Sequence, residues 1–144
     1  MKMKLLAINL IACTLSSLFA SDELFHSSCA RTLLTQAFEY IKTRHPNEGI
    51  ALYIQVRDHP NAEIWMILKA STELKSHQLR EDAIIGFKRI IAHPDTSESQ
   101  LIHVGKILRE MGVINEANAA FEKVLAQPIV SKDTHKYIEG LLGK

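Results

Sequence analysis

Cysteine is scarce in this chain: 144 residues hold 2, too few for a disulfide-dense scaffold. An excess of one charge is also missing. The 17 Lys and Arg stand against 16 Asp and Glu, a formal charge of +1. That balance argues against a nucleic-acid binder driven by phosphate neutralisation, and against a polybasic membrane-surface protein. Residues 5–20 carry no charge, but these 16 fall short of the roughly 20 that a membrane span needs. What is present is apolar side chain, 47% of the residues, enough to bury a core and to exclude a disordered tail. The length suits one ordinary domain. The 4 prolines and 6 glycines are few, and their positions carry more information than their number.

Residues 1–20 have the order of a secretory signal peptide: Lys2 and Lys4, an apolar run, Ala20, then polar Ser21, Asp22 and Glu23. Cleavage is expected after Ala20, leaving residues 21–144 as the domain and a location in the bacterial periplasm or outside the cell. A second reading starts from Leu10-Ile11-Ala12-Cys13, which resembles a lipobox and would anchor the protein to a membrane through a lipid on Cys13. Loss of residues 1–20 leaves 15 basic and 16 acidic residues, a charge of −1, with Cys29 as the remaining cysteine. Packing, not a disulfide, is then expected to supply stability.

An internal period organises the rest. Pro60, Pro94 and Pro128 are spaced by 34 residues. The same step relates small Gly49, Ala83 and Ala117, aromatic Tyr53, Phe87 and Phe121, and β-branched Val56, Ile90 and Val124. The small residue precedes the aromatic one by four, so both share a helix face. The small residue admits a neighbouring helix, the ring fills the space beside it, and proline ends the helix.

Each such helix has a predicted partner before it. Ser97 and Gln100 have capping-box spacing, and Leu101, Val104, Leu108 and Met111 follow at helical intervals. Gly105 is a close-approach position, and Gly112 is placed to end the helix. The matching stretch of the second copy is 62–75, with Ile67, Ala70, Ser71 and Leu74. In the first it is about 22–43, with Leu33, Ala37 and Tyr40. Ser131 can cap a last helix over 131–143 carrying Tyr137, Ile138, Leu141 and Leu142, with a polar outer side.

With Leu101, Val104, Gly105, Leu108, Gly112, Ala117, Phe121 and a closing Pro128, residues 98–131 resemble a tetratricopeptide repeat (TPR). Residues 30–63 and 64–97 are similar to it, with Gln78 in place of the turn glycine in the second copy. In the first copy, Arg44-His45-Pro46 stands at that turn and Gln36 replaces an aliphatic residue. The resemblance implies an all-α helical-hairpin solenoid, a right-handed superhelix of about seven helices. It implies no catalytic activity and no cofactor. Ligands in this family lie on the concave side, lined by the first helix of each pair. The matching positions here are Arg31, Leu34, Phe38 and Ile41, then Trp65, Leu68, Lys69 and Thr72, then Ser99, Ile102, His103, Lys106 and Arg109. Leu34 and Phe38 stand where relatives that grip a peptide C-terminus have Lys and Asn, which argues against that clamp.

Chemistry-bearing motifs are lacking: no phosphate loop, nucleophile elbow, zincin motif or paired CxxC is present. His59 and His93 occupy equivalent turns about one helix-packing distance apart, too far to share a metal, and read as polar turn residues. Asp22, His26 and Cys29 share a helix face but lack an evident fourth ligand. The run Ile64-Trp65-Met66-Ile67-Leu68 is apolar on more than one face. Either the N-terminal helix covers Trp65 and Leu68, or they form a binding surface. The expected function is an exported protein-interaction module that binds a partner peptide or helix and no nucleic acid. Trp65, Phe38, Leu68 and Ile102 would be its anchors, and Lys69, Lys106 and Arg109 would steer an acidic partner. The alternative is a structural homodimer of the envelope closed by the same apolar surface.

Overall fold

The computed structural model describes residues 23–143, with side chains from Cys29 onward. Residues 1–20, expected to be a signal peptide, with Cys13 among them, lie outside that description, as do Asp22 and the His26 side chain. Seven helices and no strand occur among the described residues: α1 (Glu23–Lys42), α2 (Pro46–Asp58), α3 (Ile64–Ser76), α4 (Arg80–Ala92), α5 (Glu98–Glu110), α6 (Ile114–Leu125) and α7 (Lys132–Leu142). The chain is all-α. Helices α1 and α2, α3 and α4, and α5 and α6 pack most closely, as three antiparallel hairpins. Each hairpin leans on the next through α2 with α3 and α4 with α5, and α7 closes the far end against α6. Alternate helices also touch, α1 with α3, α2 with α4 and α4 with α6, so the hairpins stack side by side as in a solenoid. Among the described residues, no helix is long and apolar enough to cross a membrane.

The periodic positions build the core. Ala83 and Ala117 are fully buried, as are Phe87, Phe121, Val56, Ile90 and Val124, while Tyr53 is 1% exposed. Gly49 is buried against Ile41 of α1 and the backbone of Ala37. At Gly86 a Cβ would run into the hydroxyl of Ser71. Ser71 is itself fully buried and donates to the Ile67 carbonyl at 2.7 Å, so α3 and α4 meet through two small residues.

The turn inside each hairpin is the same motif three times. Arg44, Gln78 and Gly112 all have left-handed φ, 61°, 65° and 74°. Their N–H groups donate to Ile41, Lys75 and Arg109. The next N–H in each turn, of His45, Leu79 and Val113, donates five residues back to Tyr40, Leu74 and Leu108 at 2.9, 2.9 and 2.8 Å. This is the Schellman arrangement, which a side-chain contact across the turn often accompanies. In the first copy that contact is an edge-on pairing of the Tyr40 and His45 rings, centroids 6.3 Å apart.

Helix starts differ between copies. Helix α5 has the expected capping box of Ser97 and Gln100, and Ser131 caps α7 through the Thr134 N–H. Helix α3 begins at Ile64, not at residue 62: Ala62 sits in the turn and donates to His59. Cys29 is disulfide-bonded and buried in the uncut chain. The expected absence of a disulfide concerns residues 21–144 alone, where Cys29 is the one cysteine.

Between hairpins, basic side chains of one repeat reach back to the carbonyl end of the preceding hairpin. Arg89 on α4 donates to the carbonyls of Arg57, His59 and Pro60. One period later, Lys123 on α6 donates to those of Ile91 and His93, at 2.6 and 2.7 Å. A cation there satisfies orphan acceptors and opposes the negative end of the helix dipole. The first junction has a further, part-buried contact. Arg57, 6% exposed, grips Asp58 with two hydrogen bonds and reaches Asp82 of α4 at 2.6 Å. Its proton is held more firmly than usual by the hydrogen bonds to Asp58 and Asp82, against the opposing effect of burial.

Candidate binding groove

Helices α1 and α3 lie side by side, and a groove of about 710 Å³ opens between them. Arg31, Leu34, Thr35 and Phe38 line it from α1, and Trp65, Leu68, Lys69 and Thr72 from α3. The two sets are the same four helix positions one 34-residue step apart, spaced three or four residues so that each forms a stripe. Tyr53 of α2 also lines the groove. Phe38 and Trp65 remain 46% and 44% exposed.

The polar lining groups are held within the protein. Trp65 Nε1 donates to Glu63 Oε2 at 2.7 Å, and Arg31 Nη2 donates to Glu63 Oε1 at 3.2 Å. The Arg31 guanidinium lies 5.6 Å from the centre of the Trp65 ring, within cation–π range. Lys69 pairs with Glu73 at 2.6 Å. The Thr35 and Thr72 hydroxyls donate to carbonyls four residues back, Arg31 and Leu68. Burial, and secondarily the charge of Glu73, pushes the Tyr53 phenol up to about 12.

Seven of the thirteen expected groove residues therefore lie together: Arg31, Leu34, Phe38, Trp65, Leu68, Lys69 and Thr72. The other six do not line this groove. Ile41 packs onto Gly49 of α2. Ile102 is half-buried against the core, and His103 is exposed. Lys106 stands 5.1 Å above the Tyr137 ring of α7. Arg109 bonds Asn118 at 3.1 Å and lies over the Phe121 ring, so it faces α6. Ser99 is an exposed residue beside the α5 cap, 3.1 Å from the Ser97 hydroxyl. Tyr53 and Thr35 were missing from the expectation. Tyr53 reads as core, and it is buried, but its ring spans from the hairpin interior to the groove floor. Thr35 could have been found as the residue one period before Lys69.

The two periodic histidines are turn elements. The Nδ1 atoms of His59 and His93 accept the N–H groups of Asn61 and Asp95, each at 3.2 Å. Among the described residues, no three His, Cys, Asp or Glu side chains gather as a metal site. Comparison of the chain with family models, with curated proteins and with solved structures finds no match.

Proposed function

We propose that the protein is an exported, tetratricopeptide-like interaction module without catalytic activity, and that it docks a partner peptide or helix in the groove between α1 and α3. The observation that carries this reading is the pair of half-exposed aromatic rings, Phe38 and Trp65, lining one groove beside Leu34 and Leu68. Large apolar side chains gathered in a concavity, with polar groups at the rim, are what a binding anchor needs. The expected steering by three cations has less support, because Lys69 is paired, Lys106 covers Tyr137 and Arg109 faces α6. The signal-like residues 1–20 support export to the periplasm or beyond.

Trp65→Ala tests the reading. The ring lies outside the inter-repeat core, so the variant should melt close to wild type yet recover a partner from envelope extract at least about tenfold less well. A clear drop in the melting midpoint at every concentration would make Trp65 a core residue instead. Conversion of a dimer to a monomer would favour the homodimer reading.

A further inference from the structure

Glu63 is the N-cap residue of α3, yet its side chain makes no capping hydrogen bond. The shorter Asp, Asn, Ser and Thr turn back from that position to the first free N–H groups of a helix, whereas Glu is not among the usual caps and its longer side chain is left to other partners. Glu63 instead bridges two helices, accepting the Trp65 indole N–H at 2.7 Å and Arg31 of α1 at 3.2 Å. Arg31 also lies along the indole, 5.6 Å from its centre. Glu63 and Arg31, bonded to each other, thus hold one ring at the groove, and that ring is still 44% exposed.

The charge around the groove narrows what can enter. Arg31 is matched by Glu63, and Lys69 by Glu73 at 2.6 Å. An acidic ligand would have to displace a carboxylate already in contact with each cation. The third cation, Lys42, stands 4.8 Å from the centre of the Phe38 ring and is paired with Glu39 at 3.7 Å. An uncharged apolar group breaks none of these ion pairs and covers Leu34, Leu68, the open side of Trp65 and the exposed part of Phe38 beside Lys42. Resting on the groove reading above, we infer that the groove takes an uncharged, apolar segment of a partner peptide, and that Glu63 is the positioning residue that holds Trp65 as its wall.

Trp65 is the chain's only tryptophan, so its emission reports on the groove directly. Random peptides displayed on phage would be selected on the purified protein and, in parallel, on Leu68→Glu and Phe38→Glu. Phe38 is 46% exposed, so its variant keeps the comparison open if Leu68→Glu folds poorly. The expected result is a consensus of uncharged apolar residues. Synthetic copies should shift Trp65 emission to the blue and bind the variants at least about tenfold more weakly. An acidic consensus that still depends on Leu68 and Phe38 would overturn the uncharged class while leaving the groove as the binding site. No enrichment, or equal enrichment on wild type and variants, would overturn the groove reading itself. For the positioning role, Glu63→Ala should weaken the selected peptide about tenfold and alter the emission of the free protein. Glu63→Gln should restore part of both, because an amide oxygen still accepts the indole N–H. Unchanged emission and affinity in Glu63→Ala would remove Glu63 from that role.

Discussion

Gly105 of α5 lies flat against the ring of Phe121 of α6: a Cβ on Gly105 would stand 2.5 Å from Phe121 Cε1. The missing side chain and the large one are two halves of one contact. Gly105→Ala should therefore destabilise by about 1–3 kcal/mol through overpacking. Phe121→Ala should cost about 3–5 kcal/mol as a cavity in a fully buried site. Thermal or denaturant melts decide. Both variants melting with wild type would mean that this contact does not hold the third hairpin together.

The three left-handed turn residues make opposite predictions by residue type. Arg44 and Gln78 hold φ of 61° and 65° without being glycine. Replacing either by Gly should stabilise by up to about 1 kcal/mol, because a side chain in that region costs about 1–2 kcal/mol and glycine gives back part of this in chain entropy. Gly112→Ala should destabilise by a similar amount. A Cβ there meets nothing within 4 Å, so backbone strain alone would be responsible. Denaturant midpoints at constant slope would show it.

The cations that reach back across the junctions can be removed without removing their stems. Arg89→Met and Lys123→Met should each cost about 1–3 kcal/mol, the range for hydrogen bonds to a charged group. Most of the loss should persist at high salt, since both side chains are half-buried and bonded to carbonyls. A loss that vanishes in salt would indicate general surface electrostatics instead.

Tyr53 predicts an alkaline limit. Its phenol titrates near 10 when unfolded and at about 12 in the fold, through burial and then the charge of Glu73. Between these values the folded chain keeps a proton that the unfolded chain has lost. The associated stability is full below pH 10 and disappears as pH rises through about 12. The melting midpoint of wild type should fall over this window more steeply than that of Tyr53→Phe. Parallel curves would assign the alkaline loss to other groups.

Export can be read from the mature N-terminus. Mass spectrometry of protein recovered from the envelope should place it at or near Ser21. That cut would separate Cys29 from the chain's other cysteine. A lipid on Cys13 would place the protein on a membrane surface and overturn a soluble location.

The hairpins were legible because each core position uses one kind of side chain. Small, aromatic and β-branched residues recur at a fixed step since each hairpin must fit its neighbour in the same way. The turns were less legible. Arg44 and Gln78 read as departures, yet both adopt the backbone of Gly112, because the hydrogen bonds to Tyr40 and Leu74 impose the turn whatever the side chain. The groove was half legible for a geometric reason. Carrying concave positions along all three copies ignores the ends of the array: α7 brings Tyr137 to Lys106, and Ile41 has turned toward Gly49. Arg89 and Lys123 carry a signal of their own in the sequence, two cations one period apart.

The contacts across the two junctions differ in what they recognise. Arg89 and Lys123 bond only to main-chain oxygens, which any hairpin ending in the same turn would present. Arg57 bonds to the Asp82 carboxylate, and Ile91 stands where the next repeat would need a second arginine. At the second junction the side-chain pairs are at the surface and longer, Lys75 with Glu110 at 3.4 Å and Lys88 with Glu116 at 3.6 Å. The first junction therefore works as a lock that admits one neighbour, while the second is a generic coupling. Hairpins could be duplicated or exchanged at the second junction with little loss, whereas the first two hairpins, which together form the groove, are bound to travel as a pair.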